Sequence, residues 1–164
     1  MTSTRPAQPA DAEAIAAIYN QGIEDRVATF ETRLRTPEEV REWFTGEHVI
    51  VIAEEQGRPV AFGVTHPYSP RPCYSGIAEV SVYVGREARG RGVGQAVLEE
   101  IIRQAIERGW WKLIGRVFAE NAASRALCRK CGFREVGTHY AHACLDGVWV
   151  DVVVVERLLG KLRP

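Results

Sequence analysis

Arg89-Gly90-Arg91-Gly92-Val93-Gly94 concentrates the chain's clearest chemistry. The stretch follows a strand-like run, Val80-Ser81-Val82-Tyr83-Val84, and leads into a helix-like run from Gln95 to Arg108. Three glycines in five positions leave backbone N–H groups uncovered by side chains. At a helix start those amides, together with the peptide dipoles, favour a negatively charged ligand. Two arginines add positive charge, so the loop reads as a cradle for a phosphate-bearing molecule. A nucleotide P-loop would end in Gly-Lys-Ser/Thr, whereas Gly94 is followed by Gln95-Ala96. A dinucleotide fingerprint needs a third glycine at position 95 and an acidic residue about twenty positions further on. Position 95 is Gln, and Leu113 and Ile114 stand where the acid belongs. An ordinary strand-to-helix turn is the plain alternative, but it does not call for two arginines among three glycines.

A second candidate is Glu79, on the strand ahead of the loop. Alternation along that strand places Ala78, Val80, Val82 and Val84 on one face and Glu79, Ser81 and Tyr83 on the other. A carboxylate on a substrate-facing surface can take a proton directly or through water. A solvent-facing strand acid is the competing reading. Cys128-Arg129-Lys130-Cys131, followed by His139 and His142, raises the question of a metal. A zinc-finger spacing leaves about twelve or more residues between the cysteine and histidine pairs. Only seven lie between Cys131 and His139, so no metal site is expected. A thioredoxin-like pair would open a helix, and this one closes one.

The elements that must position these groups can be traced along the chain. Ala7–Asn20 has helical spacing, with Asp11 near its start. Thr36-Pro37-Glu38-Glu39 carries the signature of a capping box and should open a helix to Phe44. Val49–Glu54 and Pro59–Thr65 read as strands joined by a turn at Gly57. Then follow a strand Glu79–Val84, a helix Gly94–Arg108, a strand Lys112–Phe118, a helix Asn121–Cys131 and two strands, Gly132–Ala141 and Trp149–Arg157. This order suits an α/β (α+β) domain, a mixed sheet covered by helices.

Composition bounds the function. With 164 residues, 46% hydrophobic and 26% charged, the chain fits one ordered domain spanning 1–164. Lys+Arg and Asp+Glu both number 21. The balance gives no sign of a nucleic-acid or anionic-membrane partner. Met1–Ala10 is polar, with two prolines and no apolar signal-peptide core. Val148–Val155, interrupted by Asp151, is too short to span a bilayer. A soluble, cytoplasmic protein with reduced cysteines is expected.

The spacing Arg89-x-x-Gly92-x-Gly94 matches the Arg/Gln-x-x-Gly-x-Gly/Ala loop, and here the chain resembles the GNAT superfamily of acetyl-CoA-dependent N-acetyltransferases. Asn121-Ala122-Ala123-Ser124 falls where that family keeps a cofactor-contacting Asn. Cys131-Gly132-Phe133 stands at its usual Leu-Gly-Phe. Ala78-Glu79-Val80-Ser81-Val82-Tyr83-Val84 is similar to Ala-Glu-Ser-Thr-Val-Tyr-Val of the phosphinothricin and arsinothricin acetyltransferases. Tyr19–Glu24 with Thr29-Phe30, Arg71-Pro72-Cys73-Tyr74 and Trp149-Val150-Asp151 extend that likeness over nearly the whole chain.

The resemblance implies a GNAT fold with six to seven strands and about four helices. Acetyl-CoA would enter the splay between two central parallel strands. It implies Glu79 as general base, and acetyl-CoA contacts at Val82, Tyr83, Val84, Arg89, Gly90, Arg91, Gly92, Val93, Gly94, Gln95, Asn121 and Ser124. It also implies a small-molecule amine as partner and a homodimer. Arg71 can fork onto an oxyanion, Tyr74 can donate a hydrogen bond, and Phe30 can wall an aliphatic stem. Cys128 stands where many relatives have a tyrosine that protonates the leaving thiolate, with Tyr83 and Tyr140 as other acids. Val150 replaces a family histidine, whose role therefore cannot be carried over. The expected activity is acetylation of the α-amino group of phosphinothricin or arsinothricin. Methionine sulfone or sulfoximine, protein N-termini or lysines, and a non-catalytic acyl-CoA sensor are the alternatives.

Overall fold

The computed structural model describes residues 1–160 and Leu162. Among the described residues seven strands form one sheet in the order β1-β2-β3-β4-β5-β7-β6. The strands are β1 (Thr2–Pro6), β2 (Ile50–Glu55), β3 (Arg58–Pro67), β4 (Ile77–Val84), β5 (Lys112–Phe118), β6 (Arg134–Leu145) and β7 (Val148–Leu158). The helices are α1 (Ala12–Asp25), α2 (Pro37–Glu42), α3 (Val93–Glu107) and α4 (Ala122–Lys130). All neighbouring strands run antiparallel except β4 and β5, which are parallel. Among the described residues no helix is long and apolar enough to cross a membrane.

Helix α3 covers one face of the sheet. Val93, Val97, Leu98, Ile101, Ile102 and Ala105 recur at helical spacing and are all buried. Each of the valine, leucine and isoleucine side chains contributes about 1.5–3 kcal/mol when fully buried. They meet Ala78 and Val80, with Val82 and Val84 at the margin. The register of β3 with β4 is continuous from Ala61↔Val84 to Pro67↔Ala78, so no bulge disturbs the alternation of β4. The other face is packed by α1 and α2, where Ile15, Ile18 and Val40 meet Ile52, Phe62 and Val64.

Several elements differ from the sequence expectation. The first helix does not start at Ala7: a 3-10 turn, Pro9–Asp11, precedes α1, with Gln8 and Asp11 forming a capping box. It also runs past Asn20 to Asp25. Gly22 lies within it because a Cβ there would sit 3.0 Å from Tyr83 Cδ1, so glycine permits close packing on β4. The second helix stops at Glu42 and tightens into a 3-10 turn, Trp43–Thr45. Strand β1, absent from the expectation, is short and polar, and it closes the sheet edge against β2. Strand β6 starts at Arg134 and continues to Leu145, with register shifts between Glu135 and Gly137 and between His139 and Ala143. Ala141 takes φ 47° at the second irregularity, and its N–H donates to Asp151 Oδ1 at 2.6 Å. Asp151 therefore secures this turn of backbone.

Candidate active site

The site is built where β4 and β5 part. Their parallel register holds for Ile77↔Lys112, Ala78↔Leu113 and Glu79↔Ile114, then ends. Gly76 starts this pairing. A Cβ there would lie 2.0 Å from Trp111 Cε3, so only glycine lets the indole rest on the backbone, and Trp111 N–H donates to Gly76 O at 2.9 Å. Beyond Glu79 and Ile114 a cleft opens, lined by Val82, Gly115, Val117, Ser124 and Leu127 among others. Among the described residues the β5-facing amides and carbonyls of residues 80–84 have no strand partner on that side. Such a free edge can accept an extended, amide-bearing arm as an added strand.

At the far end of β4 lies the glycine loop. Gly90 (φ 74°) and Gly92 (φ 82°) both occupy the left-handed region, which side-chain-bearing residues rarely adopt. Gly92 is the N-cap of α3, and among the described residues no side chain caps the helix. The first-turn amides are thus presented to a ligand, as an anion-binding helix start requires. Gly94 sits where a Cβ would come within 3.2 Å of Val84 Cγ2 and 3.3 Å of Leu127 Cδ2, so its absence keeps β4, α3 and α4 close.

The loop's arginines already have partners. Arg86 binds Glu24 and Asp25, both at 2.8 Å. Arg89 reaches Asp25 at 2.7 Å and donates to Val84 O at 3.0 Å. Arg91 pairs with Glu55 at 2.8 Å. The Arg86 guanidinium, helped by Arg89, holds the Asp25 carboxyl below the usual carboxylate range. Main-chain amides are therefore the part of the loop left free.

Asn121 is the N-cap of α4. Its Oδ1 accepts from Ser124 N at 3.0 Å and its Nδ2 donates to Val27 O at 3.1 Å. Asn121 and Ser124 both line the cleft, so the cap also fixes one cleft wall to the segment after α1. Cys128 lines the cleft one turn later. Burial pushes its thiol up to about 11, so it stays protonated at neutral pH. Cys131 is buried in the core below, and burial raises its pKa as well. Tyr83 borders the cleft but directs its ring into the α1 face, stacked on Phe62 at 5.3 Å and edge-on to Tyr19 at 4.8 Å. Burial raises its pKa. Tyr140 is 81% exposed on β6 and is not among the cleft residues.

Glu79 is the last residue of β4 paired with β5, on the face opposite the α3 core. Its carboxylate contacts Arg116 Nη1 at 3.3 Å, and Arg116 lines the cleft. Arg116 was not singled out from sequence. The signal was the strand pattern of β5, in which an arginine follows Ile114 by two positions onto the same face as Glu79. Phe30 packs on Phe118 with ring centroids 4.7 Å apart, and Val150 joins this small apolar cluster. Arg71 and Tyr74 come together outside the cleft. The guanidinium lies 5.5 Å over the Tyr74 ring, which stands edge-on to Tyr68 at 5.4 Å. Both belong to the β3–β4 connection that leads into Glu79.

The acetyltransferase (GNAT) family model matches residues 16–133. The chain is 36% identical to the protein named "Putative phosphinothricin acetyltransferase YwnH" of Bacillus subtilis, covering 95% of this chain and 98% of that one. It is 28% identical to the L-methionine sulfoximine/L-methionine sulfone acetyltransferase of Pseudomonas paraeruginosa, covering 98% and 96%. Among solved structures, the ribosomal-protein-alanine N-acetyltransferase of Brucella melitensis superposes with a TM-score of 0.92 at 34% identity, covering 96% and 99%. A phosphinothricin acetyltransferase from Sinorhizobium meliloti in complex with AcCoA gives 0.91 at 30% identity, covering 97% and 89%. Fold, glycine loop and relatives converge: the chain belongs to the acetyltransferase (GNAT) family, in its phosphinothricin acetyltransferase-like branch, and is an N-acetyltransferase.

Proposed function

We propose that the protein transfers the acetyl group of acetyl-CoA to the α-amino group of a small glutamate-analogue toxin, phosphinothricin or arsinothricin. The observation that carries this reading is the parting of β4 from β5 immediately after Glu79. A thioester arm laid along residues 82–84 would bring its acyl end toward that carboxylate. The diphosphate would rest on the amides from Gly90 to Gln95, with Asn121 and Ser124 on the opposite wall. Glu79 takes a proton from the substrate ammonium, directly or through water, and leaves the neutral amine to attack. Cys128 presents a neutral thiol to the departing sulfur. Arg71 and Tyr74, stacked outside the cleft on the connection into Glu79, would turn toward it to meet the toxin's distal oxyanion, and Phe30 would wall the carbon stem.

A second acceptor, methionine sulfone or sulfoximine, is favoured by the apolar patch of Phe30, Phe118 and Val150 in place of a family histidine. The unit is a single domain of residues 1–164, working in the cytoplasm as a homodimer. Tyr140, Trp149 and Val148, exposed on the β6–β7 hairpin, support that assembly, since exposed apolar surface of this kind favours association.

Thiol release from acetyl-CoA should be followed with phosphinothricin, arsinothricin, methionine sulfone, common amino acids and a peptide. Turnover with the toxins, reduced about 100-fold or more by Glu79→Gln, is the expected result. Unchanged turnover in that variant removes Glu79 from the mechanism. Coenzyme A binding without turnover of any amine makes the protein a sensor instead.

A further inference from the structure

We infer that Arg116 is the anchor for the acceptor's α-carboxylate, and that the acceptor enters by replacing the Glu79–Arg116 ion pair with two pairs of its own. The inference deepens the proposed acetyltransfer reaction and rests on it.

Arg116 projects from β5, two residues beyond the last position paired with β4, so its side chain belongs to the splay itself. Among the described residues it is the one cation in contact with Glu79. The contact is loose, at 3.3 Å, against 2.7 Å for Arg89–Asp25 and 2.8 Å for Arg5–Asp11. Its side chains are 50% and 27% exposed, so the pair adds little to folding and yields readily to another partner. The other arginines near the cleft are engaged with acids of α1 and β2. Arg116 is tied to the candidate base alone, and its guanidinium fork suits a carboxylate.

The spacing of the two charges selects a ligand class. In an α-amino acid the ammonium and the carboxylate are attached to the same carbon. Such a zwitterion can turn its ammonium to Glu79 and its carboxylate to Arg116, with both charges compensated throughout. A plain amine offers nothing to Arg116 and must separate the resident pair at its own cost. Once Arg116 has turned to the substrate, the Glu79 lone pairs are free for the ammonium proton. That proton passes to Glu79, the amine nitrogen bonds to the acetyl carbon, the carbon–sulfur bond breaks with its electrons on sulfur, and the second proton shed by the acylated nitrogen goes to that sulfur, giving the neutral amide and the free thiol. Selection for an α-amino acid thereby precedes recognition of its side chain.

The test compares L-phosphinothricin and L-methionine sulfone with their α-carboxamides, by thiol release from acetyl-CoA. In the unaltered enzyme each acid should exceed its amide in kcat/KM by about 10–100-fold, the worth of a charge-assisted contact. In Arg116→Gln that ratio should fall to near one, and in Arg116→Lys to an intermediate value. Equal use of acid and amide by the unaltered enzyme overturns the inference and leaves the acetyltransferase reading standing. A ratio preserved in Arg116→Gln, or an equal loss on acid and amide, also overturns it. The unaltered-enzyme comparison decides the matter even where the variants fold poorly. No turnover of any of the four compounds, nor of the wider amine panel, removes the acetyltransfer reading and this inference with it.

Discussion

Replacing Cys128 by alanine asks how the departing sulfur is stabilised. The Cys128 thiol lines the cleft, and burial pushes it up to about 11. The leaving group is an alkyl thiol, whose ordinary pKa is about 8.5. Complete transfer of a proton from Cys128 to such a thiolate is uphill by about 2.5 pKa units, or about 3 kcal/mol. Cys128 is therefore a poor source of a whole proton, and its S–H is a weak hydrogen-bond donor. A neutral hydrogen bond is worth about 1 kcal/mol, which corresponds to about a fivefold effect on rate. Cys128→Ala should thus lower kcat by no more than about tenfold, with Cys128→Ser close to the original. Saturating thiol-release kinetics between pH 7 and 9, with the melting temperature followed in parallel, give the answer. A loss of about 100-fold or more without a change in melting temperature would assign Cys128 full general-acid duty and refute the argument.

Other consequences can be checked independently. Gly92→Ala introduces a side chain at φ 82° with open space around it, so backbone strain alone should cost about 1–2 kcal/mol. Chemical denaturation measures that loss, and calorimetry should show weaker acetyl-CoA binding as the loop distorts. Gly63→Ala would place a methyl 2.4 Å from Ile101 Cδ1 and 2.7 Å from Val97 Cγ1. Overpacking should destabilise by about 1–3 kcal/mol, and adding Ile101→Val should recover part of it. The Arg33 guanidinium and the Thr36 amide lower the Glu39 carboxyl from its ordinary 4.5 to about 2. The native state therefore binds fewer protons there than the unfolded chain. The resulting stability is present above pH 4.5 and fades as pH falls toward 2. Acid titration of Glu39→Gln should show a shallower decline across that window.

Local chemistry explains what could be read in advance. Lys112–Phe118 has the same bounds in the sequence reading and in β5, because an apolar run between Trp111 and the Asn121 cap leaves little choice. The box Thr36-Pro37-Glu38-Glu39 forms as expected, with Thr36 Oγ1 accepting from Glu39 N and Glu39 accepting from Thr36 N. What escaped detection depends on distant partners. Strand β1 is polar and becomes a strand only through its register with β2 and the contacts of Arg5 with Asp11 and Glu54. Helix α1 passes through Gly22 because of Tyr83, sixty-one positions later. The glycine loop and Glu79 were visible because their backbone and strand contexts are local. Arg116 was not, since its significance arises only when β5 lies beside β4. Nor could spacing reveal that Arg71 would stack on Tyr74 outside the cleft.

The acids gathered around Arg86, Arg89 and Arg91 leave the glycine loop electrically quiet before any ligand arrives. A bare group of guanidiniums would hold a cloud of mobile counter-ions, and their release would tie affinity closely to ionic strength. Here Glu24, Asp25 and Glu55 serve as permanent counter-ions built into the chain. An incoming diphosphate that takes the guanidiniums trades one anion for another, leaving carboxylates to be rehydrated. Discrimination between a cofactor and dissolved salt then falls to the directional main-chain amides rather than to bulk charge.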